Sequence, residues 1–207
     1  MQKLTIAAAL GCLVAAFGAA QAGPITTPPP PLVALGGDVK AVFVVSKAND
    51  KSALRLLHLG STLIFCNKAI TGTCAANNVG DVKDLGTLSG SLLFTLHDRT
   101  TGITYDSANP DSFGDYHVDI RTSYTYTGVP ALSPSLVALL ASLPNVTYVA
   151  FEDRQANNGS DFDYNDLIFA FSNTRPDHGP GVPEPLTLSL LGAGLLGAFG
   201  LRRRKKA

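Results

Sequence analysis

Side chains along residues 115–127 alternate in character: Tyr116, Val118, Ile120, Thr122, Tyr124 and Tyr126 are interleaved with His117, Asp119, Arg121, Ser123 and Thr125. Successive Cβ atoms on a pleated chain point to opposite faces, so a period of two predicts a strand with one buried and one wetted side. On this reading His117 lies on the wetted side, where its charged neighbours are commonplace. The segment commits the chain to a sheet, and the rest of the sequence supplies partners for it.

Residues 39–46 (VKAVFVVS) form an apolar, β-branched run of the kind a buried strand needs. Residues 54–59 and 62–66 read as two strands joined at Gly60-Ser61, and 92–97, 146–151 and 166–172 complete the set. One helix is expected, with Ser133 as N-cap, Pro134 at the first helical position, and Leu136, Leu139, Leu140 and Leu143 along one face. Short strands separated by Gly, Asn and Asp turns predict a mainly β domain, an antiparallel β-sandwich or jelly-roll-like fold with one short helix. The domain is expected over 38–173, between a Pro-rich linker at 23–37 and a second linker at 174–181. No internal repeat is visible. Cys66 and Cys74 stand eight positions apart, and such an even pair predicts, in an oxidising compartment, a disulfide that pins a loop.

Residues 151–171 (FEDRQANNGSDFDYNDLIFAF) concentrate the charge. Glu152 and Asp153 end one strand, and Asp161, Asp163, Asn165 and Asp166 precede the next. Crowding so many carboxylates costs repulsion that a cation relieves. Calcium suits the set, because it takes six to eight hard oxygen ligands in flexible geometry, whereas zinc would want His or Cys. Asp161, Asp163 and Asn165 match the first half of an EF-hand loop. The second half fails, since Asp166 stands where Gly is needed and Ser172 where Glu is needed. Phe162 and Tyr164, between the oxygen ligands, are expected to pack inward. A solvated turn is the competing reading, since Asp and Asn cap turns through their own side chains.

The order Phe151-Glu152-Asp153, Gly159-Ser160, Asp161-Phe162-Asp163-Tyr164-Asn165-Asp166, then Leu167-Ile168-Phe169, resembles the C-terminal signature of the domain of unknown function 4114, a bacterial surface domain. That resemblance implies a secreted, adhesin-like setting and no enzymatic activity. Other chemistry is poorly represented. His58, His97, His117 and His178 are scattered, and Ser160 lacks the Gly-x-Ser-x-Gly elbow of a hydrolase nucleophile. The acidic residues crowd one connection instead of forming the spaced pair that glycosidases use. The expectation is a protein that is not an enzyme, with no catalytic residues and with calcium as a structural cofactor.

Both ends read as addresses. Lys3 precedes the apolar run 4–20, and Ala20-Gln21-Ala22 offers the small residues that signal peptidase requires, so 1–22 is expected to be a cleaved signal peptide. At the other end, Pro183, Glu184 and Pro185 stand before an uncharged span, 186–201, and then RRRKK at 202–206. Such a span makes about 24 Å of helix, short for a bilayer core of about 30 Å, and its glycines weaken it as a permanent anchor. The cations behind it would be held on the cytoplasmic side. The arrangement over 182–207 resembles the PEP-CTERM sorting tail, which implies a transmembrane sorting helix, processing by exosortase, and a Gram-negative envelope.

The full chain has 16 basic and 16 acidic residues. Lys3 and the five tail cations leave with processing, as does Glu184, so the remainder carries 10 basic against 15 acidic residues, a net charge of −5. This gives no electrostatic footprint for nucleic acid. The expected function is a non-enzymatic envelope or extracellular protein associated with exopolysaccharide or biofilm matrix, its acidic loop stabilised by calcium. The alternative is a calcium-dependent carbohydrate-binding or adhesive module, with Tyr124 and Tyr126 facing solvent to stack on sugars.

Overall fold

In the computed structural model, residues 23–178 are described. The expected signal peptide, its expected cleavage residues Ala20 and Ala22, and the sorting motif with its span lie outside these residues. The chain forms β1 (Leu32–Ser46), β2 (Ser52–Leu56), β3 (Thr62–Cys66), β4 (Val82–Leu92), β5 (Phe94–Asp98), β6 (Thr104–Asp106), β7 (Val118–Arg121), α1 (Pro134–Ala141), β8 (Thr147–Phe151), β9 (Leu167–Phe171) and β10 (Thr174–Pro176). All strand pairings are antiparallel. They make two sheets, as the sequence predicts: a six-stranded one in the order β10-β1-β9-β8-β7 with β4 also on β1, and a four-stranded one in the order β3-β2-β5-β6.

β1 organises the larger sheet. It pairs with β4 from Leu32 to Val42, with β10 at its start and with β9 at its end. Its register with β4 shifts between Leu35 and Gly37, where Gly36 has φ 85°. That left-handed φ is one that glycine adopts without strain, and it lies at the bulge.

Two apolar layers explain the unbroken runs in β1 and β9. Between the sheets, Phe43, Phe169 and Phe171 pack with Phe65 and Phe94 from the smaller sheet, with ring centroids 4.7–5.8 Å apart. Each such buried ring contributes about 1.5–3 kcal/mol. On the outer face of the larger sheet, Val42, Val44, Ala150, Ile168 and Ala170 lie under Leu136 and Leu140 of α1. Strands covered on both sides have no polar face to display. The helix begins as expected, with the Ser133 hydroxyl accepting from Leu136 N at 3.3 Å.

The long alternating segment is a strand only over Val118–Arg121. Tyr116 instead makes an isolated bridge with Ile25. After Arg121 the chain leaves the sheet. Arg121 Nη1 donates to the Thr125 carbonyl at 2.9 Å, and the returning loop lays Tyr124 and Tyr126 against Tyr148 on the outer layer. Loop packing, not pleating, produced the alternation there. His117 is also not on a wetted face, since it is buried.

The other differences concern element boundaries and two strands that the sequence pattern does not announce. Leu57–Leu59 is a 3-10 turn instead of the end of a strand. β4, with its mixed polar and apolar residues, and the short β6 complete the sheets without a strong apolar pattern. Strand pairing extends into both segments read as linkers, from Leu32 and through Pro176. Cys66 and Cys74 form the expected disulfide, closing a loop whose Ile70 packs on Ala53 of β2.

Candidate cation site

The acidic connection spans 152–166, between β8 and β9. Phe151 pairs with Leu167 at the mouth of this connection, and Ser46 at the end of β1 pairs with the same Leu167. Three strand ends therefore meet at its base. The Asp166 carbonyl accepts from Lys47 N at 2.7 Å and Ala48 N at 3.0 Å, which fastens the connection to the exit of β1. On the opposite side, Glu152 N donates to the His117 carbonyl at 3.0 Å, and His117 Nδ1 lies 3.1 Å from the Glu152 carbonyl. Tyr105 of β6 donates to the Asp153 carbonyl at 3.1 Å.

This anchoring turns the carboxylates toward one another. Glu152, Asp153 and Asp166 each offer an oxygen, all within 4.8 Å of one another, and Glu152, Asp161 and Asp163 form a second such group. Asp166 Oδ2 accepts from Asp153 N at 3.1 Å. Glu152 and Asp153 are each 1% exposed, and Glu152 Oε2 and Asp153 Oδ2 have no hydrogen-bond partner. Asp163 is half-buried and Asp161 is exposed.

Asn165 is oriented differently from the five acids. Its Oδ1 accepts from Lys47 Nζ at 2.9 Å, and its Nδ2 donates to the Thr127 carbonyl at 2.8 Å and to Asp163 Oδ2. The amide oxygen is thus engaged by a lysine, and the residue ties the connection to the loop after β7. Phe162 and Tyr164 pack inward as expected, each with a left-handed φ of 52°. The Tyr164 hydroxyl accepts from Ile25 N at 2.8 Å and donates to the Tyr116 carbonyl at 2.9 Å. Alternation of the ring residues with Asp161, Asp163 and Asn165 separates a packing side from a charged side.

Electrostatics follow from this geometry. Burial, and then the neighbouring Asp166, push the Glu152 carboxyl up to about 8 and the Asp153 carboxyl up to about 7. Burial and then Asp161 raise Asp163, while Lys47 draws it back down. Arg154 is directed elsewhere, with Nε 3.4 Å from Asp50 Oδ2. A carboxyl group that is buried and unpartnered resists ionisation, and a cation at the same place reverses that preference.

Lys47, Tyr105 and His117 support the site but were not expected to. They reach it from 118, 48 and 35 positions away along the chain, and their sequence neighbourhoods carry no mark of that pairing.

The PEP-CTERM protein-sorting motif matches residues 181–205, which include Pro183, Glu184 and Pro185. The chain is an exported protein, sorted through its tail by exosortase from a membrane-anchored precursor in a Gram-negative bacterium. No curated protein and no solved structure matches it.

Proposed function

We propose that the β domain is a non-enzymatic protein of the cell surface or the exopolysaccharide matrix, and that it binds calcium in the connection between β8 and β9. The observation that carries the calcium reading is the pair of buried, unpartnered oxygens, Glu152 Oε2 and Asp153 Oδ2, beside Asp166. A buried acceptor without a partner costs about 1–3 kcal/mol, so a turn designed only to be wet would not hide two of them. The donors are hard oxygens, which suits calcium, and at the cell surface calcium is the divalent cation that flexible carboxylate loops use. Its role here is structural, to hold together a connection that its own charges push apart.

The setting in the matrix rests on the sorting tail and on the resemblance of 151–169 to the surface domain named above. The alternative, an aromatic sugar-stacking face, has lost its main support. Tyr126 is buried, and Tyr124 donates to the Pro130 carbonyl at 3.0 Å within the outer apolar layer.

Thermal melts of the full chain in detergent, with calcium and with a chelator, test the metal reading. A higher melting temperature in calcium is expected, and identical melts in both conditions would reject it. For the sorting step, mass spectrometry of the exported protein should show a species lacking 202–206. Recovery of those residues in the mature protein would contradict processing at the tail.

A further inference from the structure

We propose that the connection holds two cations side by side, with the Glu152 carboxylate bridging them. This rests on the calcium reading and extends it to the number of ions and their ligands. The two groups of converging oxygens, Glu152 with Asp153 and Asp166, and Glu152 with Asp161 and Asp163, share Glu152 alone. Calcium–oxygen distances of about 2.3–2.6 Å let one ion span roughly 5 Å between opposite ligands. Each group fits around one ion, whereas the pair of groups calls for two.

The unpartnered oxygens mark the inner position. Both Glu152 Oε2 and Asp153 Oδ2 are buried without a donor, although the Glu152 carbonyl and both backbone polar groups of Asp153 are hydrogen-bonded. The outer position is shallower, since Asp163 is half-buried and Asp161 exposed, and water can complete the coordination there. Charge supports the same count. One dication would leave three of the five carboxylates uncompensated. Two dications leave one, and Lys47, whose ammonium is fixed by Asn165 Oδ1 and the Gly128 carbonyl beside Asp163, supplies the remaining positive charge. The inner ion would be the slower to exchange, because it lies beneath both the outer ion and the loop.

Calorimetric titration of the full chain with calcium alone reads the count directly. Two equivalents are expected for the natural sequence. Asp153→Asn should remove the inner equivalent and Asp161→Asn the outer one, while Glu152→Gln should weaken both. One equivalent would overturn the two-ion proposal and leave the calcium reading standing. No equivalents would overturn both. Two equivalents of which Glu152→Gln removes only one would overturn the bridge. Should Glu152→Gln fail to fold by circular dichroism, Asp161→Asn, at an exposed position, still decides the count: retention of two equivalents overturns the proposal.

Discussion

Asp111 receives hydrogen bonds from Phe113 N at 2.8 Å, Asp115 N at 3.1 Å and Gln155 Nε2 at 3.0 Å, and His117 Nε2 lies 3.1 Å away. Glu152, whose backbone bonds the same His117, and the adjoining Asp153 are buried more deeply, and each keeps an oxygen without a partner. Burial raises the Asp111 carboxyl, but those backbone and side-chain bonds more than reverse it, so it sits below its ordinary value. Burial and Asp166 raise the other two, and a Ser160 hydrogen bond only partly offsets this at Glu152. The fold satisfies one buried carboxylate entirely from its own atoms and leaves two beside it open. The contrast separates a carboxylate that serves the protein from a pair that waits for an ion.

The largest effect tests the satisfied side. Asp111→Ala removes the acceptor shared by two backbone amides, Gln155 and His117, and should cost about 3 kcal/mol in urea denaturation, equally with calcium and with chelator. A loss that depended on calcium would join Asp111 to the cation site and dissolve the contrast.

The two settings should also respond to pH with opposite sign. A carboxyl held below its ordinary value contributes stability above that value and loses it as pH falls, which is the Asp111 case. Glu152 and Asp153 are raised, from 4.5 and 3.8 to about 8 and about 7. Between these limits the folded chain holds protons that the unfolded chain has released, so stability in chelator should fall as pH rises from about 4 to about 8. Calcium competes with those protons, and its contribution should grow over the same window. Denaturation measured across that range with and without calcium should give diverging curves. Parallel curves would contradict the site.

A smaller effect isolates the pair. The double substitution Glu152→Gln with Asp153→Asn removes both ionisable groups while keeping their shape. It should raise stability in chelator at pH 8 by about 1–2 kcal/mol and remove most of the gain from calcium. Loss of stability in chelator would mean that the carboxylates were already satisfied.

Much of this architecture was legible because it depends on local pattern. Apolar runs in β1 and β9, the Ser133-Pro134 helix start and the two cysteines each state their role within a few residues. The acidic connection was legible as a cluster for the same reason. What the sequence could not disclose was partnership at a distance. Tyr124 and Tyr126 alternate like strand residues, but the loop folds back so that Tyr124 packs on Tyr148 and Tyr126 packs on Tyr124. His117 looks wetted by its neighbours until Asp111 and the Glu152 carbonyl enclose it. Asn165 belongs to the oxygen series by spacing, yet Lys47, 118 positions away, takes its carbonyl oxygen.

Asp161→Asn should produce the smallest change and the most discriminating one. Asp161 is exposed, so water screens its repulsion of Glu152 and Asp163, which it nevertheless raises. In chelator, removing its charge should therefore stabilise slightly, within about 0.5 kcal/mol. In calcium the same change deletes a ligand and should lower the melting temperature relative to the natural sequence. A solvated turn predicts one sign in both conditions, because only repulsion is at stake. Reversal of sign between chelator and calcium requires that the carboxylate repel its neighbours when the ion is absent and share it with Glu152 when the ion is present.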